Sequence, residues 1–252
     1  MSDAMAANTN RETIVVADPK AIAEAAAHRL INRLKVAKDR AAICLTGGAT
    51  PEGLYRLLAE EPWRSKVPWE RVHWFIGDDR FVPESDPLSN MGMARRLFLD
   101  KVPAPPGRVH AIQTVANDPD GAANLYQDTL REFYGAERLD PARPLFDLVL
   151  MGVGTDGHTA SLFPGSCAQE EKERWVVGVA QAGMEPLVPR VTLTFPALAS
   201  TQEMLFIVDG SGKRDILHRV FSGEDLPAPR AYSDGALVWL LDRAAAPEGH
   251  HG

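Results

Sequence analysis

Cysteine is scarce in this chain, with only Cys44 and Cys167 among 252 residues. Two cysteines do not make a disulfide framework, and we expect both to be reduced thiols in or near the core. Basic residues do not dominate either, since 27 Lys and Arg stand against 34 Asp and Glu. A net charge of -7 without a basic stretch argues against nucleic acid as a partner.

Long apolar runs are also missing. None reaches the roughly 20 residues that cross a bilayer, and the first residues lack the basic and then apolar pattern of a signal peptide. We therefore expect a cytoplasmic protein with no membrane partner. The hydrophobic content of 45% is that of an ordinary soluble globule.

What the chain does have is a regular alternation of strand and helix patterns. Apolar runs that suit strands lie at 13–17, 41–45, 71–76, just before residue 152, and at 175–180, 191–195, 204–208 and 236–241. Their alternation with helical patterns predicts a three-layer α/β/α fold, with a mostly parallel, Rossmann-like open sheet and helices on both faces. We expect one domain over residues 13–243 and flexible termini at 1–12 and 244–252.

The strongest functional signal is a glycine-rich loop that follows the apolar run before Gly152. Gly152, Gly154 and Gly157 allow sharp turns and close approach of a ligand, and Asp156 and His158 lie two residues apart among them. Ligands bind at the carboxyl ends of strands in open α/β sheets. Since histidine suits proton transfer near neutral pH, the loop predicts a catalytic base.

Two other interpretations of this loop remain open. The three glycines satisfy the dinucleotide pattern G-x-G-x-x-G, but that fingerprint requires the loop to open a helix. Pro164 interrupts any helix there, and no clean acidic position follows at the end of a next strand. An Asp-Gly-His turn can also be purely structural, so the catalytic interpretation depends on the other motifs.

A second loop, at residues 46–51, has the sequence Thr-Gly-Gly-Ala-Thr-Pro. It follows a predicted strand, and it places Thr50 at the N-cap and Pro51 at the first position of a helix. Free backbone amides and the positive end of the helix dipole suit a phosphate group. A plain capped turn is the alternative. No Lys-Ser or Lys-Thr follows the glycines, so this is not a Walker loop.

Charged residues mark three further junctions. Asp78-Asp79-Arg80 ends a predicted strand, and Arg80 could bind substrate or stabilise charge that develops on a carbonyl oxygen. Arg190 opens a strand and Lys213 opens a helix, where both could hold a phosphate. Surface charges are the alternative for each.

The sequence Gly-Ser-Gly-Lys at 210–213 also suggests a nucleotide P-loop. The spacing does not fit, because Ile207 occupies the first glycine position and Arg214 replaces the Ser or Thr. No cluster of His, Cys and carboxylate has metal-ligand spacing, so we expect neither a metal nor a cofactor. His250 and His251 are taken as part of the flexible tail.

Together these motifs resemble those of the 6-phosphogluconolactonases, a family related to the glucosamine-6-phosphate deaminases (isomerases) and sharing their fold. The resemblance spans roughly residues 13–243. It rests on segments 46–51, 78–83 with Ser89-Asn90, 152–164, 190–192 and 212–213. The sequence Asp-Gly-His-Thr-Ala-Ser-Leu-Phe-Pro at 156–164 is the most specific of them.

The resemblance implies hydrolysis of 6-phosphogluconolactone to 6-phosphogluconate in the oxidative pentose phosphate pathway. It implies that His158 activates water beside Asp156, with Arg80 near the lactone carbonyl. The residues then expected to bind substrate are Thr46, Gly47, Gly48, Thr50, Asp78, Gly157, Arg190 and Lys213. The family often has Asp-Glu-Arg at 78–80 and Ser-Thr-Pro at 49–51, which leaves the role of Asp79 open and removes one hydroxyl from the phosphate loop.

Two alternative functions are considered. The related deaminases carry the loop as Asp-Gly-His-Ile-Ala-Phe-Asn-Glu, and the final Glu assists their histidine in ring opening. Phe163 occupies that position here, which favours the lactonase. A non-catalytic sugar-phosphate sensor is the other alternative, although the chain has no room for an output domain. A phosphorylated sugar lactone is the expected partner of a monomer or small homo-oligomer.

Overall fold

The computed structural model describes residues 11–114, 116 and 118–249 of the chain. Its strands are β1 (Arg11–Val16), β2 (Ala41–Leu45), β3 (Val72–Ile76), β4 (Asp78–Arg80), β5 (Leu148–Met151), β6 (Val176–Val179), β7 (Arg190–Leu193), β8 (Glu203–Val208) and β9 (Ala236–Asp242). Its α-helices are α1 (Pro19–Val36), α2 (Thr50–Leu58), α3 (Asn90–Leu97), α4 (Pro119–Tyr134), α5 (Phe195–Ala199), α6 (Arg214–Phe221) and α7 (Pro227–Arg230).

The main sheet has six parallel strands in the order β1-β9-β8-β5-β2-β3. Every residue of β2, β5 and β8 is buried, which requires cover on both faces of the sheet. Their uninterrupted apolar sequences reflect that environment. The prediction of a mostly parallel α/β fold is confirmed, with β1 at an edge.

A second, three-stranded antiparallel sheet in the order β4-β7-β6 was not predicted. The apolar runs at 175–180 and 191–195 contribute to this sheet rather than to the parallel one. Residues 78–80, predicted as a loop, form its short edge strand and pair Arg80 directly with Arg190. Three charged residues carry no strand signal, and their pairing partner lies far along the chain. The sequence pattern therefore could not show this pairing.

The two cysteines differ in environment. Cys44 is buried in β2, as expected, but Cys167 is exposed at the start of the 3-10 turn Cys167–Glu170. The prediction of a core position for Cys167 is wrong, because the polar run that follows it keeps the turn at the surface. Both thiols are free.

The predicted termini are only partly described. Residues 1–10 and 250–252, including the two tail histidines, lie outside the described residues. Arg11 and Glu12 already pair with β9, while Ala245 and Ala246 are buried after it. The single-domain boundaries stay a prediction. Within the described ranges, no helix is both long and apolar enough to cross a membrane.

A histidine pair stabilises the free edge of the main sheet at β3. His110 donates its backbone N–H to Trp74 O at 2.8 Å, and its Nε2 lies 2.9 Å from Nδ1 of His73. Arg108 contacts Nε2 of His73. Because arginine only donates, that nitrogen must be an unprotonated acceptor, and the proton of His73 lies on Nδ1. Burial lowers the pKa of His73 to about 4, and the positive charges of Arg108 and Arg40 and the neighbouring His110 act in the same direction.

We predict that this pair makes stability depend on pH. The unfolded chain takes up a proton at His73 below about pH 6.5, whereas the folded chain does so only near pH 4. Stability should therefore fall as pH drops between these values. Because His73 is only partly buried, we expect the free energy of unfolding to fall by about 1 kcal/mol. This loss corresponds to about 2–4 °C in Tm.

The measurement is thermal unfolding of wild type and His73→Phe at pH 8 and pH 5. The variant should lose less Tm than wild type over this interval, because it has no imidazole at position 73 to protonate. Equal losses in the two proteins would contradict the assignment.

Candidate active site

A cavity of about 380 Å³ opens where the carboxyl ends of the parallel strands meet the small sheet. The predicted residues that line it are Thr46, Gly47, Gly48, Asp78, Arg80, His158, Arg190 and Lys213. Three predicted residues, Thr50, Asp156 and Gly157, do not line it. The cavity collects side chains from β4, β7 and the loops after β2, β5 and β8.

His158 is held by Asp156. Its Nδ1 lies 2.6 Å from Asp156 Oδ1, and the same oxygen accepts the His158 backbone N–H at 3.1 Å. A neutral ring bonded in this way carries its proton on Nδ1, which leaves Nε2 as an acceptor in the cavity. Burial raises the pKa of Asp156, but the hydrogen bonds from His158 outweigh burial and the pKa lies below its ordinary value.

The loop after β5 is shaped so that this ring fits. A Cβ added at Gly154 would lie 2.1 Å from His158 Nδ1, so only glycine leaves room for the imidazole. Phe163 packs on the ring with centroids 4.8 Å apart. The ring is therefore confined between the backbone at Gly154 and an aromatic side chain.

Gly157 has a structural position rather than the predicted contact with substrate. Its φ of 89° lies in the left-handed region, and a Cβ there would also crowd Leu226 at 3.0 Å. Its carbonyl accepts the N–H of Ala228 at 3.0 Å. The glycine joins the loop to α7, away from the cavity.

The loop before α2 differs from the prediction by one residue. The helix begins at Thr50, so Ala49 occupies the cap position and no side chain caps the helix. The Thr50 hydroxyl instead donates to Asp209, which follows β8, and Thr50 does not line the cavity. Thr46 does line it, and the Tyr55 hydroxyl bonds both its N–H and its carbonyl, at 3.1 and 2.7 Å.

Two arginines form one wall of the cavity. Arg190 is 4% exposed and donates to Val188 O and Pro186 O at 3.1 and 2.7 Å. Arg80 lies opposite it across the strand pair and donates to Leu88 O at 2.6 Å. Burial lowers the pKa of Arg190, and the charge of Arg80 acts in the same direction.

Lys213 supplies positive charge from the other side, where the loop after β5 lies. Its Nζ donates to Val153 O at 2.7 Å. Burial lowers the pKa of Lys213, although the carboxylates of Asp156 and Asp209 oppose the shift. Neither this amine nor the two guanidinium groups makes an ion pair within the described part of the chain, so none is neutralised by direct contact.

Asp78 and Asp79 point to opposite sides of β4, as neighbours on a strand do. Asp78 lines the cavity and accepts the Ser161 hydroxyl at 2.6 Å. Asp79 faces the start of α3 and accepts the backbone N–H groups of Asn90 and Met91 at 2.6 and 3.0 Å. Burial raises the pKa of Asp79 to about 6 despite these bonds. Asp79, whose role the sequence left open, therefore anchors the start of α3.

Several residues of the cavity were not predicted as site residues. They are Asn90, Gly152, Val153, Gly154, Thr155, Ala160, Phe163, Met184 and Glu185. Asn90 and Phe163 lie within recognised motifs, so those motifs held a signal for them. Met184 and Glu185 belong to an irregular segment between β6 and β7 that carries no motif.

The site contains no evident metal centre. No group of three or more His, Cys, Asp or Glu residues suited to a metal ion occurs among the residues with described positions. The polar side chains that line the cavity are instead an imidazole, three cations, an amide, two carboxylates and two hydroxyls.

Comparison with known proteins relates the chain to a known family. The sequence model for "Glucosamine-6-phosphate isomerases/6-phosphogluconolactonase" matches residues 17–239. The chain belongs to this family. A 6-phosphogluconolactonase from Nostoc sp. is 38% identical over 216 residues, which cover 84% of this chain and 85% of the relative. One from Streptomyces coelicolor is 37% identical over 247 residues, covering 94% of each chain.

The fold agrees with that of solved family members. The crystal structure of a 6-phosphogluconolactonase from Thermotoga maritima superposes with a TM-score of 0.79 at 29% identity. The match covers 92% of this chain and 100% of that chain. The similarity in fold therefore extends over nearly the whole chain.

We predict that Gly154→Ala displaces the His158 ring without unfolding the protein. The added Cβ meets the ring 2.1 Å away, and the end of a side chain can move. Because the Asp156 carboxyl then loses its hydrogen bonds to His158, its pKa should rise toward its ordinary value. Carbon-13 NMR titration of the Asp156 carboxyl measures this change.

Gly152→Ala is the matched control, because a Cβ at Gly152 meets nothing within 4 Å. The Asp156 carboxyl of this variant should titrate as it does in wild type. An unchanged Asp156 titration in Gly154→Ala would show that the ring is not confined as described.

Proposed function

We propose that this protein hydrolyses 6-phospho-D-glucono-1,5-lactone to 6-phospho-D-gluconate, a step of the oxidative pentose phosphate pathway. The observation that carries the proposal is the His158 ring, which bonds Asp156 at Nδ1 and lines the cavity that also contains Arg80, Arg190 and Lys213. Curated relatives named 6-phosphogluconolactonase that align over most of the chain support it.

The proposed reaction needs one group that takes and returns a proton. Nε2 of His158 removes a proton from water, the hydroxide adds to the lactone carbonyl carbon, and the bond from that carbon to the ring oxygen breaks. The same Nε2 then returns the proton to the departing ring oxygen. Asp156 stabilises the intermediate imidazolium. A positioned base of this kind typically contributes about 10²–10⁴-fold.

The cations are assigned to the two ends of the substrate. Lys213, Arg190 and the backbone amides of the loop at 46–48 bind the phosphate, and Arg80 lies near the carbonyl oxygen as it becomes negative. Each cation is held by a backbone carbonyl and so keeps its charge for the ligand. Binding the distant phosphate orients the carbonyl toward His158.

Phe163 favours hydrolysis over deamination at this site. Its ring packs on His158, at the position where the related deaminases carry a Glu that assists ring opening. An apolar ring cannot transfer a proton. Water attack on a lactone needs only the single imidazole, since the ester is already reactive.

We predict that His158→Gln lowers kcat about 10²–10⁴-fold with a smaller change in KM, because the substituted side chain cannot accept the proton. The assay uses freshly prepared 6-phosphogluconolactone with the spontaneous rate subtracted. Retention of more than about a tenth of wild-type kcat would refute the general-base role. Release of ammonia from glucosamine 6-phosphate by wild type would instead indicate a deaminase.

We predict that Lys213→Met weakens the preference for a phosphorylated substrate. Removing a charged hydrogen-bond donor to the phosphate should lower kcat/KM for 6-phosphogluconolactone about 10- to 100-fold and leave that for gluconolactone nearly unchanged. Steady-state rates on both lactones measure the ratio. Lys172→Met, on an exposed residue outside the cavity, is the control. Equal losses on both lactones would argue against a phosphate contact.

A further inference from the structure

The side chain of Asn90 has hydrogen-bonding capacity that the protein leaves unused. Asn90 is 4% exposed, yet it lines the cavity. Its Nδ2 donates to the backbone carbonyl of Asp78 at 2.9 Å. In the described parts of the chain, no donor forms a hydrogen bond with its Oδ1. This oxygen is also not one of the fully buried side-chain atoms that lack a hydrogen-bond partner. A nearly buried amide therefore presents a free acceptor to the cavity.

The orientation of this amide is fixed by its neighbours. The carbonyl of Asp78 can only accept, so the atom that contacts it must be the amide nitrogen. The oxygen then lies over Gly47, where an added Cβ would be only 2.1 Å from it. A side chain at position 47 would push the amide away. Gly47 thus serves the site by leaving room for Asn90.

Asp79 holds Asn90 from behind. Its two carboxylate oxygens accept the backbone N–H of Asn90 at 2.6 Å, that of Met91 at 3.0 Å and the Ser89 hydroxyl at 3.0 Å. Asp79 is itself 4% exposed and does not line the cavity. It acts on the site only through the start of α3.

The chemistry of a free amide oxygen identifies the ligand group. An acceptor repels phosphate and carbonyl oxygens, so its partner must be a donor. We infer that Asn90 accepts a hydrogen bond from a ring hydroxyl of the sugar lactone and is a specificity-determining residue, with Asp79 as its positioning residue. The inference rests on the proposed function, and it assigns the neutral middle of the substrate to a neutral side chain.

The test compares 6-phosphogluconolactone with its 2-deoxy, 3-deoxy and 4-deoxy counterparts. Wild type should lose about 10-fold in kcat/KM on one of the three, since its amide is then left without a partner. Asn90→Ala should lose a similar factor on the full substrate and show no further loss on that deoxy lactone. Asn124→Ala, an exposed amide on α4, should behave as wild type.

The outcomes separate this inference from the proposed function. Absence of wild-type turnover on the full lactone would overturn the function itself. Turnover without discrimination among the deoxy lactones, or discrimination kept in Asn90→Ala, would overturn the role of Asn90 alone. The wild-type comparison needs no variant and holds even if Asn90→Ala fails to fold.

The positioning role of Asp79 has its own readout. Asp79→Asn places an amide N–H toward the backbone N–H groups of α3, so it should raise KM and reduce deoxy discrimination with little change in kcat. Asp79→Glu keeps two acceptor oxygens and should restore both the KM and the deoxy discrimination of wild type. Thermal unfolding checks that the Asp79→Asn protein is folded. If the folded variant discriminates among the deoxy lactones as wild type does, the positioning role is contradicted.

Discussion

The hydrogen bond between Asp156 and His158 determines what this cavity can do. It assigns the ring proton to Nδ1 and thereby leaves Nε2 as the acceptor nitrogen of a ring that lines the cavity. The loop after β5 is built around this contact, because Gly154 leaves space for the ring and Phe163 packs on it. A small displacement of the ring would therefore separate the imidazole from the Asp156 carboxylate and change its position in the cavity.

The three cationic side chains of the site are all oriented in the same way. Lys213, Arg80 and Arg190 are each oriented by backbone carbonyls rather than by carboxylates. A carbonyl dipole fixes the direction of a side chain without cancelling its charge, so the three cations keep their charge in a cavity that also contains the carboxylates of Asp78 and Glu185. This local surplus lies within a chain of net charge -7. The positive charge of the cavity therefore comes from local geometry and not from overall charge.

The parts of the site that the sequence predicts are those with local signals. Glycines beside His158 and the junction position of Lys213 are readable because parallel strands bring such junctions to one edge. Thr50 was misplaced because the cap lies at Ala49, where no side chain marks it. The pairing of Arg80 with Arg190 depends on a contact distant in sequence, which no local pattern reports.

The short strand β4 explains why two adjacent carboxylates have different roles. Its pairing with β7 turns Asp78 toward the cavity and Asp79 toward α3. If residues 78–80 were a free loop, both carboxylates could approach the cavity and add negative charge to it. Pairing instead directs the Asp79 carboxyl to backbone N–H groups, whose hydrogen bonds offset part of the cost of burying its charge. The second sheet therefore contributes to the charge balance of the site as well as to its shape.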